Sequence, residues 1–305
     1  MSSPAPDRSS GGPTRRRLFV RRTVALVVLA ACAVAVAFLA WLGVDRVSDS
    51  GSEARPVPVA PPPPKPLRIV FPEGFTRKQM AERITAVNEI AREKRKVRPR
   101  LDAERYLAAS SSPRQATPFV RRFTRGEDTQ SLEGFLFPAT YEFFRRTTSQ
   151  QLVREQLEAF RRAWEKVDLR YARSKNLTPY DVLIIASMIE EEVIAPEERR
   201  LVAAVVYNRL RRGMPLGIDA TIRYALDVPA TESLRVSHLT DPTPYNTRIH
   251  AGLPPGPIAN PGLASMQAAA HPADVDYLFF VRKPDMEHHF FTRSEREFLE
   301  YQREN

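Results

Sequence analysis

Cysteine is almost missing from this chain of 305 residues: Cys32 is the only one. A single thiol excludes an internal disulfide framework and any Cys-based zinc site. Histidine is scarce too. His238, His250, His271, His288 and His289 are the full set, and no two stand four residues apart. Neighbours such as His288 and His289 point to opposite faces of a strand, so no metal site is expected. The 12 glycines form neither a phosphate-cradling loop nor a nucleophile elbow. No cofactor is expected.

Basic residues and proline are plentiful. Lys and Arg number 46 against 36 Asp and Glu, for a net charge of +10, and there are 27 prolines. Residues 1–14 are rich in Ser, Pro and Gly and read as disordered. Arg15, Arg16, Arg17, Arg21 and Arg22 then precede Thr23–Val44, a run without a charge. That length suits a membrane-spanning helix of about 20 apolar residues, with Trp41 near its far end as an interface anchor. The positive-inside rule places residues 1–22 in the cytoplasm as a tail and everything after residue 45 outside. A cleaved signal peptide has a shorter apolar core, and Arg16-Arg17-Leu18-Phe19 also looks like a twin-arginine signal. Length and flanks favour an uncleaved anchor at 23–44. Residues 45–66 are a linker ending in PVPVAPPPPKP, a stiff polyproline spacer. A basic surface suits an anionic polymer or membrane face. Nucleic acid is not expected, because the densest basic cluster abuts the membrane segment.

Globular sequence starts at Leu67. LRIVFPEGF reads as a short strand and a turn at Pro72-Glu73-Gly74. Thr76–Ile90 reads as a helix with Met80, Ile84, Val87 and Ile90 inward, followed by a solvated charged stretch and a second helix over Asp102–Ala109. One strand and two helices need help to close a core, and Phe119, Val120 and Phe123 could supply it. SLEGFLFPATYEFFRR reads as strand-rich, and Ser149–Ser174 as one long amphipathic helix. Pro196 opens another helix that ends before Gly213, residues 213–261 read as loop, and Pro261–Ala270 as a short helix. YLFFV from Tyr277 and HFFT from His289 read as a hairpin, and Ser294–Arg303 as a closing helix.

The chain is organised around TPYDVLIIASMIEEEV, Thr178–Val193. Thr178 can cap, Pro179 suits the first helical position, and Asp181 stands three residues after the cap. Val182–Ile189 is apolar or small throughout, which marks a helix buried all round. Glu190, Glu191 and Glu192 follow, about 100° apart on the helix. Glu190 points along the face still half buried, where lost hydration should raise its pKa toward proton-donating use near neutral pH. Composition alone favours a solvated acidic helix end. Asn208 within its helix, Asp219 with Thr221, and Tyr245-Asn246-Thr247 are polar groups that a hydroxyl- and amide-rich ligand such as an amino sugar would suit; as turn residues they need no function.

Several motifs in fixed order, ASMIEEE, VVYNRLRRGMPL, PYNT, GLPPGPIANPG, AAAHP and YLFFV, resemble those of the YceG-like endolytic murein transglycosylases. LRIVFPEGFTRKQMAERI looks like the LysM-like subdomain of that family, and LEGFLFPATYEF like its LEGFLFPDTY stretch. The resemblance implies an α+β fold: a membrane-anchored chain with a small LysM-like α/β subdomain at 67–130 and a mixed catalytic domain at 131–305 with a helical core and short sheets. It implies cleavage of the β-1,4 bond between N-acetylmuramic acid and N-acetylglucosamine within peptidoglycan strands, with 1,6-anhydro ends. Glu190 aligns with the family's catalytic glutamate, and Asn208, Asp219, Thr221, Tyr245, Asn246, Thr247, Asn260 and His288 become candidate substrate-binding residues. It implies a single-pass protein of the bacterial cytoplasmic membrane, its enzyme outside, working beside peptidoglycan synthases whose strands it would terminate. There are departures. The family has Lys and Thr where this chain has Glu191 and Val193, Pro where it has Ala220, and Gly where it has Glu287. Two other readings stay open: a non-catalytic tethered wall-binding scaffold, and a muramidase-type hydrolase using a second acid such as Asp219.

Overall fold

The computed structural model describes residues 30–38, 40, 41, 65–111, 118–124 and 131–305. The chain divides into two units, Met1–Pro63 and Pro64–Asn305. In the first, residues 30–38, 40 and 41 are helical and exposed. The rest of the 23–44 segment, the tail before it and linker residues 45–64 lie outside the described residues. Among the described residues, no helix is long and apolar enough to cross a membrane.

The second unit is mixed α+β, with two small antiparallel sheets set among helices. β1 (Leu67–Val70) alternates buried and exposed residues and pairs with β2 (Thr140–Phe143), Leu67 opposite Phe143 and Val70 opposite Thr140. An isolated two-stranded ribbon is marginal. Its apolar face is covered from α1 (Arg77–Arg95), which opens on a capping box between Thr76 and Gln79. The stripe Met80, Ala81, Ile84, Asn88 and Ala91 is buried, whereas Ile90, expected inward, is outward and exposed. The helix runs five residues further than the sequence pattern marked, and its 3.6-residue stripe passes through Ala91 rather than Ile90. α2 (Ala103–Ser110) is capped by Asp102. β2 lies past residue 130, so the first sheet joins sequence from both sides of that expected boundary.

The 131–146 segment is less strand-rich than its composition indicated. Residues 132–138 form turns around Gly134, whose φ of +85° favours glycine. Phe123, from α3 (Pro118–Phe123), does not close the first small unit as expected. It packs edge-on against Phe135, Phe160 and Trp164 at 5.3, 5.7 and 4.6 Å. α4 (Ser149–Trp164) stops at Trp164 instead of running to Ser174. There the Asp168 carboxylate takes the Arg170 N–H at 3.0 Å, a local bond that competes with helix, and α5 (Arg170–Ser174) starts afresh.

α6 (Pro179–Glu192) is the central rod. Thr178 and Asp181 form the expected capping box, and Val182–Ile189 is entirely buried. Each large apolar side chain there contributes roughly 1.5–3 kcal/mol. α7 (Arg199–Arg211) follows a 3-10 turn at Pro196–Glu198, and α10 (Leu263–Ala270) lies along α6. Small residues on α10, among them Ala268, Ala269 and Ala270, allow the close approach. Ser187 is a packing and clamping residue: its hydroxyl donates to the Ile184 carbonyl at 2.7 Å and accepts the Ile258 N–H at 3.0 Å. The expected loop 213–261 contains two short helices, α8 (Asp219–Leu226) and α9 (Val236–Leu239); α8 exists because Thr221 and Ile222 are drawn into the core.

β3 (Phe279–Arg282) and β4 (His289–Thr292) form the expected hairpin, closed by α11 (Glu295–Glu304). Buried His289 pins the hairpin. Its backbone N–H donates to both carboxylate oxygens of Glu198 at 3.0 and 3.1 Å, and its Nδ1 lies 2.7 Å from Glu198 Oε2. Glu198→Ala should therefore cost about 1–3 kcal/mol for each buried group left unpaired. Chemical denaturation checks this; unchanged stability would mean the aromatic hairpin holds itself.

Candidate active site

Glu190 lies in the last turn of α6 and is half-buried. Its Oε2 accepts the N–H of Gly262 at 3.0 Å. Gly262 is the N-cap of α10, so the positive end of that helix points at the carboxylate. Beside Glu190, Glu191 is exposed as a residue, but its carboxylate reaches back to within 2.9 Å of where a Cβ on Gly74 would stand. It lines a cavity of about 380 Å³. Thr76, Lys78 and Gln79 form one wall, Arg223, Tyr224 and Asp227 the other, with Ile258 between. Lys78 and Asp227 are ion-paired across it.

Glu73 completes the site. The carboxylate of this otherwise exposed residue occupies the place a Cβ on Gly262 would take. Its pKa is raised, by partial burial first and then by the charge of Glu190, with Arg199 pulling the other way. The turn that carries Glu73 is strapped to the 258–262 segment. Gly74 N–H donates to the Asn260 carbonyl at 3.0 Å, and Asn260 N–H donates to the Phe75 carbonyl at 3.2 Å.

Behind this strap is a buried polar knot. Glu133 accepts the Arg77 N–H at 3.0 and 3.2 Å and the Asn260 Nδ2 at 2.6 Å. Asn260 Nδ2 also donates to the Phe75 carbonyl, and its Oδ1 accepts the Leu136 N–H at 2.9 Å. Burial pushes Glu133 up to about 7 despite Arg77. Burial, then Glu190 and Glu192, push Glu191 up to about 7; burial, then Asp219, do the same for Glu192, against Arg282. The folded chain thus holds protons on these groups more tightly than the unfolded chain, where the ordinary value is 4.5. That stabilisation is complete below about pH 4.5 and is lost as pH rises through about 7. Thermal unfolding between pH 5 and 8 should show Tm falling with pH, and Glu133→Gln should flatten part of the fall. A Tm that climbs toward pH 8 in both proteins would contradict this.

The other residues singled out from sequence are mostly engaged within the fold. Thr221, Asn246, Thr247 and Asn260 are fully buried, with no surface to offer a ligand in this conformation. Thr221 bonds the Ile218 carbonyl and Thr247; Asn246 bonds the Leu239 and Asp241 carbonyls. Asn208 Nδ2 donates to the carbonyls of Val275 and Tyr277 at 2.9 and 3.0 Å. Asp219 is paired with Arg248 at 2.7 Å. Tyr245 is half-buried against Tyr224, and the His288 ring stands between Asp285 and Glu197. Of these candidates, only Asn260 bonds the turn carrying Glu73, two residues before Gly262. No sequence pattern marks Glu73, Glu133 or Arg199. Glu73 sits between Pro and Gly, where an acid reads as a plain turn residue. Glu133 was hidden in a segment read as strand, and only tertiary packing reveals its burial.

A carboxylate fixed at the end of a buried helix, with its neighbour Glu191 lining a cavity, gives this mixed α+β scaffold an enzyme-like site. The YceG-like family matches residues 58–304 of this chain, and the chain belongs to that family. It is 33% identical over 221 residues to the endolytic murein transglycosylase of Bacillus subtilis (strain 168), covering 72% of this chain and 60% of that protein. It is 32% identical over 237 residues to the endolytic murein transglycosylase of Streptococcus pneumoniae (strain R6), covering 72% of this chain and 41% of that one. The chain therefore spans 60% and 41% of the length of these two relatives. A crystal structure of a YceG-like protein from Listeria monocytogenes shares the fold, with a TM-score of 0.63 and 30% identity over 78% of this chain and 76% of that one.

Proposed function

We propose that this chain is a lytic transglycosylase that cleaves the β-1,4 bond between N-acetylmuramic acid and N-acetylglucosamine within glycan strands. The reading rests on one observation above all: Glu190 is held half-buried at the end of a buried helix and fixed by the Gly262 N–H, while its neighbour Glu191 lines an open cavity. The names of the relatives support the same substrate. Glu190 in its acid form gives its proton to the glycosidic oxygen as the C1–O bond breaks. The muramic C6 hydroxyl then bonds C1, and its proton returns to Glu190. No water is consumed, and the product carries a 1,6-anhydro ring. In this reading residues 23–44 tether the chain to the cytoplasmic membrane, with residues 67–305 on the outer side. The β1–α1–α2 region would serve as the LysM-like wall-binding part, beside synthases whose strands the enzyme ends.

One observation favours a second reading. Glu73 stands beside Glu190 and supplies the second carboxylate that a muramidase-type hydrolase needs, a place that Asp219, paired with Arg248, does not take. The full chain in detergent, incubated with purified sacculi, separates the readings by mass spectrometry. Anhydro ends support the transglycosylase, reducing ends the hydrolase, and binding without products a scaffold.

A further inference from the structure

The helix whose N-cap fixes Glu190 also carries a groove that the mechanism above does not use. We propose that this basic groove, along the outer face of α10, binds a carboxylate of the stem peptide on a muramic acid beside the scissile bond; this rests on a glycan strand being the substrate cut at Glu190.

Ala264, Gln267, Ala268 and His271 stand at positions i, i+3, i+4 and i+7, so they share one face of α10, with His271 as its C-cap. At a rise of 1.5 Å per residue that face runs for about 10 Å. Pro196, Arg199 and Arg200 wall it, making a groove of about 410 Å³. Gln267 and His271 are exposed, and the two alanines leave room over the helix that longer side chains would fill. The near end of the groove is the first turn of α10, whose N-cap Gly262 gives its N–H to Glu190. A ligand in the groove therefore lies next to the catalytic end without touching the reacting atoms.

Among the described residues no carboxylate lines this groove. Arg199 gives its Nε to Ser265 Oγ at 3.2 Å, and its charge acts on Glu73 at the catalytic end. Arg200 has no acid partner among the described residues. It donates to the His271 carbonyl at 2.9 Å and the Pro272 carbonyl at 3.2 Å, and its Nη2 lies 3.2 Å from His271 Nδ1. Nearby acids are committed elsewhere: Glu198 holds His289, Glu197 faces His288, and Asp168, whose charge reaches His271, is paired with Arg170. A guanidinium held in place by neutral groups, with terminal N–H groups to spare, suits a carboxylate, which it can meet with two parallel bonds. The stem peptide supplies such carboxylates, tethered to muramic acid through its lactyl ether.

The test is the binding of fluorescently labelled glycan strands bearing stem peptides to the full chain in detergent, read by anisotropy at fixed low salt. Every protein carries Glu190→Gln, so that no strand is cut. The same strands with their carboxylates converted to methylamides are the uncharged comparison. Untreated strands should bind roughly tenfold more tightly than amidated ones, the worth of one charge-assisted hydrogen bond. Arg200→Gln should remove that advantage and leave amidated strands unaffected. Because Arg200 also ties down residues 271 and 272, a second variant leaves the fold alone. Gln267 is exposed and makes no side-chain bond among the described residues. Gln267→Glu should weaken untreated strands roughly threefold, the size of an exposed charge effect, and Gln267→Lys should strengthen them by a similar factor; neither should change amidated strands. Equal or undetectable binding of the two kinds of strand, or Gln267→Glu acting on both alike or on neither, would overturn the proposal. Charge-selective binding without anhydro ends from the wild type would count against the transglycosylase reading and leave the groove standing.

Discussion

Replacing Glu190 with Gln is expected to cut release of soluble muropeptides by about 10²–10⁴-fold, the usual worth of a general acid–base group. The fold should survive. A glutamine keeps the length and an oxygen that can accept the Gly262 N–H, and Val182–Ile189, which hold α6 in the core, are untouched. Thermal unfolding of the variant should therefore lie close to wild type while turnover collapses. The contrast is the point: a drop in both would indicate a structural residue, and retained turnover would remove Glu190 from the chemistry. Glu191→Gln, one residue further round the helix, should be far milder, because Glu191 has no bond to Gly262 and lines the cavity wall instead.

The largest stability effect is expected at Asn260. Its amide ties Glu133, the Phe75 carbonyl and the Leu136 N–H together in the interior. Asn260→Ala leaves a buried carboxylate short of a donor and a buried N–H without an acceptor. Each such group costs about 1–3 kcal/mol, and a severed buried charge network about 3–5 kcal/mol. Urea unfolding should show a loss within that range. The variant should also lose activity, because the strap from Gly74 to residue 260 positions Glu73 and the cavity wall. A variant as stable as wild type would mean that the two backbone bonds alone hold the turn.

Much of this architecture can be read from local sequence. The α6 rod is plain from Thr178, Pro179, Asp181 and an unbroken apolar stretch, because capping and burial are both local signals. The hairpin and closing helix follow from aromatic strand residues and Ser294. Glu190 stands out because a carboxylate directly after a fully apolar run must meet the edge of the core. What escapes is non-local. The partner of β1 lies 70 to 76 residues away, at 140–143, and no pattern in LRIV announces it. The break at Trp164 depends on Asp168 and Arg170 bonding each other in preference to extending a helix. Asn208, Thr221, Asn246 and Thr247 have the chemistry of ligand-binding groups, yet the structure uses them to satisfy buried carbonyls and hydroxyls. Asn260 has the same chemistry and serves as the knot. Sequence identifies polar groups that need partners; only the fold decides whether the partner is a substrate or the backbone.

The most direct measurement is the chemical nature of the ends released from purified sacculi by the full chain, compared with Glu190→Gln. Muropeptides ending in 1,6-anhydro-N-acetylmuramic acid, produced by wild type and absent with the variant, are the expected result. Reducing ends from wild type, or anhydro ends undiminished in the variant, would contradict Glu190 as the group that lends and reclaims the proton.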